Sequence, residues 1–231
     1  MKKRIKLHEE PGKIIYSTDE SEQLIQEFND DVIVGNKTVT IEGKGEINNQ
    51  VSAFLLKYLS GFHIPTHFIK KLGNKDMLVR SMDMIPVEVV IHNIANKNLS
   101  KRFGIEGGKK LSCPIMEFYY KNDSNQDPMM NNSHIIALGI ANADELKIIE
   151  RLTSKINAVL KSFYSRRQIE LVDCKLEFGR HKNKIMLGAG ISLDSCRLMS
   201  PFSETGSENN KFQFAPGDEY EKYEQIRDLI I

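Results

Sequence analysis

An α+β fold is predicted by three features of the sequence: short β-prone segments punctuated by turn residues at the start, a long amphipathic helical pattern in the second half, and a strand pair after it. The early strands fall around Lys13 to Tyr16, Val32 to Val34 and Thr38 to Ile41, broken by Pro11-Gly12, Thr18-Asp19 and Gly35-Asn36. Val51, Phe54, Leu55 and Tyr58 recur at helical spacing, so a helix is expected over roughly 48 to 60, capped by Asn48 or Asn49 and ended near Gly61. Strands follow at about 66 to 72, 77 to 82 and 85 to 92, then from Met116 to Lys121. The polar stretch Asn122 to Ser133, with Asp127-Pro128, reads as a connector. It sets the expected lobe boundary, with a small β-rich lobe and its hinge strand over 1–121 and a larger α+β lobe over 122–231. Leu146, Ile149, Leu152, Ile156, Val159, Leu160 and Phe163 make an apolar stripe on a helix from Ala143 to Tyr164. Strands at 169 to 178 and 184 to 187 come next, Ser203 to Lys211 reads as a polar loop, and Glu219 to Ile231 as a closing helix. Two such lobes suit a nucleotide held in a cleft between them.

Composition narrows the partners. With 231 residues, 40% of them hydrophobic, the chain has ample material for a packed core. Its 32 Lys and Arg nearly balance 31 Asp and Glu, for a formal charge of +1. No global field draws it to nucleic acid or to an anionic membrane, so any phosphate affinity must be local. Cys113, Cys174 and Cys196 are odd in number and lack metal-ligand spacing, which points to reduced thiols and a cytoplasmic location. The start, Met1-Lys2-Lys3-Arg4, is followed by Leu7-His8-Glu9-Glu10 where a signal peptide needs an apolar run, and no segment reads as a membrane span. His63 and His67 flank Pro65 and are not expected to form a metal pair.

The most informative segment is Leu171-Val172-Asp173-Cys174-Lys175-Leu176-Glu177-Phe178-Gly179-Arg180. In a strand, alternate residues share a face, so Asp173, Lys175 and Glu177 point one way while Val172, Cys174, Leu176 and Phe178 pack behind them. A row of charges backed by apolar residues suits phosphate and metal chemistry. The same alternation also describes any half-buried strand with solvated charges, and pattern alone leaves both readings open.

After the short strand Lys184-Ile185-Met186-Leu187 comes Gly188-Ala189-Gly190-Ile191-Ser192-Leu193-Asp194-Ser195-Cys196-Arg197-Leu198. The whole stretch resembles the signature of the SAICAR synthetase (phosphoribosylaminoimidazole-succinocarboxamide synthase) family. Further matches lie in order along the chain: Gly43-Lys44-Gly45 with Asn48-Asn49, Ile64-Pro65-Thr66-His67-Phe68, Pro86-Val87-Glu88-Val89-Val90, Leu99-Ser100-Lys101-Arg102-Phe103-Gly104, Glu117-Phe118-Tyr119-Tyr120-Lys121 and Asp127-Pro128.

The resemblance implies a two-lobe fold similar to the ATP-grasp and protein-kinase arrangement, with ATP between the lobes. It also implies an ATP- and magnesium-dependent ligation of L-aspartate to the carboxylate of carboxyaminoimidazole ribonucleotide in purine biosynthesis, by a homodimer. Lys13 is expected at the ATP phosphates, Glu117 near the adenine-binding hinge and Lys121 where ribose and phosphates are handled. Lys175 is the expected phosphate-contacting lysine, Glu177 the magnesium ligand and Asp173 its neighbouring acid. Asp194 and Arg197 match the segment that holds the imidazole nucleotide, where the arginine suits a two-pronged phosphate contact.

The chain departs from the family's usual pattern at several of these positions. Pro11 replaces the first amino-terminal lysine, and Leu193 a proline. Ala189-Gly190 stands where the family has an Asp-Glu pair, removing one expected magnesium ligand. His92 and Asn98 occupy the positions of a phosphate-binding arginine and serine, which predicts weaker substrate-phosphate binding unless Lys97 supplies the charge. Met199-Ser200 replaces a Trp-Asp pair. These losses leave a second reading open, a catalytically degenerate relative acting as a nucleotide-binding or regulatory protein.

Overall fold

The computed structural model describes residues 2–34, 37–121, 127–199 and 219–231. The expected loop from Ser203 to Lys211 and residues 122–126 of the 122–133 connector lie outside them. Residue contacts divide the chain into two compact units. One takes the chain up to Asp83, Gly190–Asp194 and the carboxyl-terminal helix; the other runs from Met84 to Ala189 and resumes at Ser195. The division therefore differs from the 1–121 and 122–231 expected from composition.

The first unit is built on an antiparallel five-stranded sheet. Its strands are β1 (Lys6–Glu10), β2 (Lys13–Ser17), β3 (Gln23–Phe28), and, beyond the small hairpin β4 (Asp31–Val34) and β5 (Lys37–Thr40), β6 (Phe68–Lys71) and β7 (Asp76–Arg80). The order is β1-β2-β3-β7-β6. Helix α1 (Lys44–Gly61) packs on β3, β6 and β7 through Ile47, Val51, Leu55, Leu56 and Leu59, and also meets the carboxyl-terminal helix α5 (Glu219–Ile230).

Helix α1 starts a turn earlier than its apolar spacing suggested. Gly43, at φ +87°, is its N-cap, and the helix follows without a side-chain cap. Asn48 and Asn49 look like caps in the sequence, yet both are buried inside the helix and spend their amides on tertiary bonds. Asn49 donates to the carbonyls of Gly73 and Asn74 at 2.9 and 2.7 Å. Gly45 is required by contact, because a Cβ there would collide with the carbonyl of Phe28. His67, within the strand expected at about 66 to 72, lies just before β6 and is buried beside Gln26.

The second unit carries a six-stranded sheet. It contains β8 (Asp83–Ile94), β9 (Lys110–Tyr120), β10 (Met129–Met130), β11 (Glu170–His181), β12 (Lys184–Leu187) and β13 (Cys196–Met199), in the order β10-β9-β8-β11-β12 with β13 also paired to β11. This is why the expected hinge strand groups with the later residues: β9 pairs with β8, which is hydrogen-bonded to β11. Helix α4 (Ala143–Ser165) packs its stripe of Leu146, Ile149, Leu152, Ile156, Leu160 and Phe163 against β11. It is held at its start by a capping box in which Asn142 accepts from Glu145 N–H and Glu145 accepts from Asn142 N–H. Two short helices were not anticipated, α2 (Lys97–Phe103) and α3 (Asn132–Ala137), each begun by an asparagine cap, Asn96 and Asn131.

Candidate active site

Strand β11 organises the candidate residues as its alternation requires. Leu171, Val172, Cys174, Leu176 and Phe178 are buried, while Lys175 is exposed and Glu177 partly so. Asp173 departs from the picture of a solvated charge row, being only 1% exposed. It stays charged there because donors surround it. Arg197, its direct partner on β13, brings Nε to 2.7 Å of Oδ1, Asn96 donates to Oδ2 at 3.0 Å, and His92 Nδ1 lies 3.4 Å from the same oxygen. Burial pushes the Asp173 carboxyl up, but the His92 and Arg197 interactions outweigh it and hold the group below the usual carboxylate range.

The network continues to Glu117. His92 Nε2 is 3.2 Å from Glu117 Oε2, the Tyr119 hydroxyl donates to that oxygen at 2.7 Å, and Arg102 reaches Oε1 at 2.9 Å. Burial again raises the Glu117 carboxyl and the Tyr119 and Arg102 bonds bring it below its ordinary value, while the Tyr119 phenol is pushed up to about 12 by burial and by that carboxylate. Glu117, expected beside an adenine, thus has both oxygens engaged by protein groups. His92, expected to face a substrate phosphate, is buried and bridges two acids. Asn96, Arg102 and Tyr119 were not singled out from the sequence. Arg102 stands inside a matched block, and Asn96 precedes a helix as an asparagine cap does.

Further along β11 the charges pair differently. Lys175 Nζ lies 3.0 Å from Glu88 on β8, and Glu177 forms an ion pair with Lys121, just past the end of β9. Asn98 is exposed in the first turn of α2, next to the exposed Lys97.

Lys13 and Asp194 belong to the first unit and form a separate set. Asp194 accepts from Lys44 Nζ at 2.7 Å and Asn48 Nδ2 at 2.8 Å on one oxygen, and from the Tyr223 hydroxyl at 2.6 Å on the other. Lys13 pairs with Glu10 at 2.7 Å across the β1–β2 turn. Gly12 in that turn has φ +91°, and a Cβ there would sit 3.3 Å from an Asp194 oxygen. Its N–H donates to Asn29 Oδ1 at 2.7 Å. Lys44 and Tyr223 escaped notice as partners because 150 and 29 residues separate them from Asp194.

Among the described residues, no group of three or more His, Cys, Asp or Glu side chains could hold a metal ion. One partly buried carboxylate, Glu177, still suits magnesium that arrives with nucleotide phosphates and keeps several waters. None of the described helices is long and apolar enough to cross a membrane.

The sheet of the second unit thus sets Asp173, Lys175 and Glu177 along β11, with Arg197 paired to Asp173 and Lys121 to Glu177, and the relatives of the chain place it among ATP-dependent ligases. The family model described as SAICAR synthetase matches residues 6–214, and the chain belongs to that family. It is 42% identical over 233 residues to the phosphoribosylaminoimidazole-succinocarboxamide synthase of Chloroherpeton thalassium, covering 100% of this chain and 99% of that one. Among solved structures, the synthase from Ehrlichia chaffeensis superposes with a TM-score of 0.91 at 37% identity, covering 98% of each chain. A SAICAR synthetase in complex with ADP gives 0.89 at 38% identity, covering 96% of each. The α+β, SAICAR synthetase-like fold and the ATP-dependent ligase activity stand on these likenesses, and nothing in them favours a degenerate relative.

Proposed function

We propose that the protein joins L-aspartate to the carboxylate of carboxyaminoimidazole ribonucleotide, consuming ATP with magnesium, as a cytoplasmic homodimer. The observation that carries this reading is the alternation of Asp173, Lys175 and Glu177 on β11 with Arg197 opposite Asp173. A carboxylate oxygen is a poor leaving group, so amide formation needs it activated, as an acyl phosphate formed at the expense of ATP. The aspartate amine then attacks the acyl carbon and phosphate leaves. What the protein contributes is cations placed where negative charge accumulates.

In this reading Lys13, Lys121 and Lys175 serve the ATP phosphates, and Arg197 the nucleotide substrate, with its Nε committed to Asp173 so that the outer guanidinium nitrogens are aimed. Glu177 would hold magnesium, which would neutralise phosphate charge. Asp194, fixed by Lys44, Asn48 and Tyr223, anchors the second substrate. His92 acts by bridging Glu117 and Asp173 rather than by grasping phosphate, and the exposed Asn98 and Lys97 are the groups of that segment free to meet the substrate phosphate.

The test is direct: incubation with ATP, magnesium, L-aspartate and the carboxyaminoimidazole nucleotide, followed by absorbance and mass of the succinocarboxamide product. Product that requires all four components is expected. Absence of product from folded, ATP-binding protein would overturn the reading.

A further inference from the structure

Two of the three cysteines face each other across β11 and β13. Cys174 and Cys196 are direct register partners, both buried, with Sγ atoms 3.2 Å apart. Cys113, the third, is exposed. The neighbouring bond from Lys175 N–H to Ser195 C=O, 2.8 Å long, makes Lys175 and Ser195 the hydrogen-bonded pair, which leaves Cys174 and Cys196 at the adjoining non-hydrogen-bonded position. Cα atoms at such positions approach to about 4.5 Å, inside the span a disulfide tolerates. The sulfurs need only close from 3.2 Å to a bond of about 2.05 Å, a displacement shared between two side chains. Strand register, spacing and orientation are thus all in place, and nothing in a SAICAR synthetase reaction calls for a thiol pair.

We infer that Cys174 and Cys196 form a redox modification site, a thiol pair that a hydroperoxide converts to an intramolecular disulfide stapling β13 to β11 beside Asp173 and Arg197. One cysteine sulfur attacks the peroxide O–O bond, giving a sulfenic acid and releasing water or alcohol. The second sulfur displaces the sulfenic oxygen as water, and the S–S bond forms. Two thiols and one hydrogen peroxide give one disulfide and two waters, the sulfurs oxidised and the peroxide oxygens reduced. The hydrogen bond between the thiols and their burial push the Cys174 thiol up, so the pair rests reduced and reacts slowly, through openings of the short β13 strand.

The experiment treats the folded full-length Cys113→Ser protein with hydrogen peroxide and follows intact mass, peptide linkage and thermal unfolding. Loss of two mass units, a Cys174–Cys196 peptide and a melting temperature raised by about 5 °C or more are expected, all reversed by dithiothreitol. The temperature shift follows from closing a loop across the 22 positions that separate the cysteines. An unchanged mass, a gain of oxygen atoms without linkage, or a disulfide that lowers the melting temperature overturns the inference.

Discussion

Lys44 places its ammonium 2.7 Å from the Asp194 carboxylate although none of its side chain is exposed. The acid keeps 28% of its own side-chain surface exposed, so the two partners are not equivalent. A buried ammonium without its counter-ion loses hydration and gains nothing, whereas a carboxylate at the edge can still reach water and retains Asn48 and Tyr223. Asp194→Asn should therefore cost about 3 kcal/mol and Lys44→Met only about 1 kcal/mol, measured by urea unfolding. Equal losses would show that the pair is solvated in solution.

Tyr223 fixes the segment bearing Asp194 to α5. Its ring is 1% exposed and its hydroxyl donates to a carboxylate at 2.6 Å, the charge-assisted kind of bond that is worth more than a neutral one. Tyr223→Phe keeps the ring and removes only that bond, for an expected loss of about 1.5 kcal/mol. In a double-mutant cycle with Asp194→Asn most of that loss should vanish, and strictly additive effects would mean that the hydroxyl does not act through Asp194.

The elements that patterning could reach are those whose signal is local. The apolar stripe marks α4, and alternation marks β11, because each reports one face buried against one neighbour. Short pieces went unseen: α2 and β13 hold seven and four residues, too few for a period to show. Asn48 and Asn49 misled the placement of α1, since a buried amide bound to a distant loop looks in sequence like a cap. For the candidate residues, chain pattern put Asp173, Lys175 and Glu177 on one strand, with Arg197 taken from the family resemblance. It could not foresee that His92 would turn inward between two acids, nor that Lys44 and Asp194 would meet across 150 residues, because such partners are chosen by topology.

Asp173 and Glu117 make a prediction about acid stability. Burial raises both carboxyls, yet hydrogen bonds from His92, Arg197 and Asn96 on one, and from Tyr119 and Arg102 on the other, leave both below their unfolded values. A depressed folded pKa contributes stability above the unfolded pKa, and that contribution is lost as pH falls through the folded one. Urea midpoints should hold through neutral pH and fall steeply below about pH 4. Asp173→Asn should lower the midpoint at pH 7 and flatten the acid limb, and a variant that keeps the full slope would remove Asp173 from the account.

Gly45 and Gly190 separate two kinds of close approach. A Cβ on Gly45 meets the backbone carbonyl of Phe28, which cannot move without shifting β3 against α1. One on Gly190 lies 2.9 Å from Ser52 Oγ and 3.0 Å from Phe28 Cζ, side-chain atoms of two buried residues that can give by a few tenths of an ångström without moving backbone. Gly45→Ala should therefore cost about 3 kcal/mol and Gly190→Ala nearer 1 kcal/mol by denaturant unfolding. The same contacts show why an acid cannot simply be put back at Gly190, and make Ala189→Asp the better place to restore a carboxylate.

Glu177 and Lys121 form one pair with opposite expected roles, the acid toward magnesium and the base toward phosphate. Their effects should therefore differ in kind. Glu177→Gln keeps shape but removes the charge that holds the metal, so the magnesium concentration at half-maximal rate should rise about tenfold, while saturating magnesium restores part of the rate. Lys121→Met removes a cation from the migrating phosphoryl group, and kcat should fall about a hundredfold with no rescue by magnesium. If both variants instead lose only stability, the pair is structural and the catalytic charges of this protein lie elsewhere along β11.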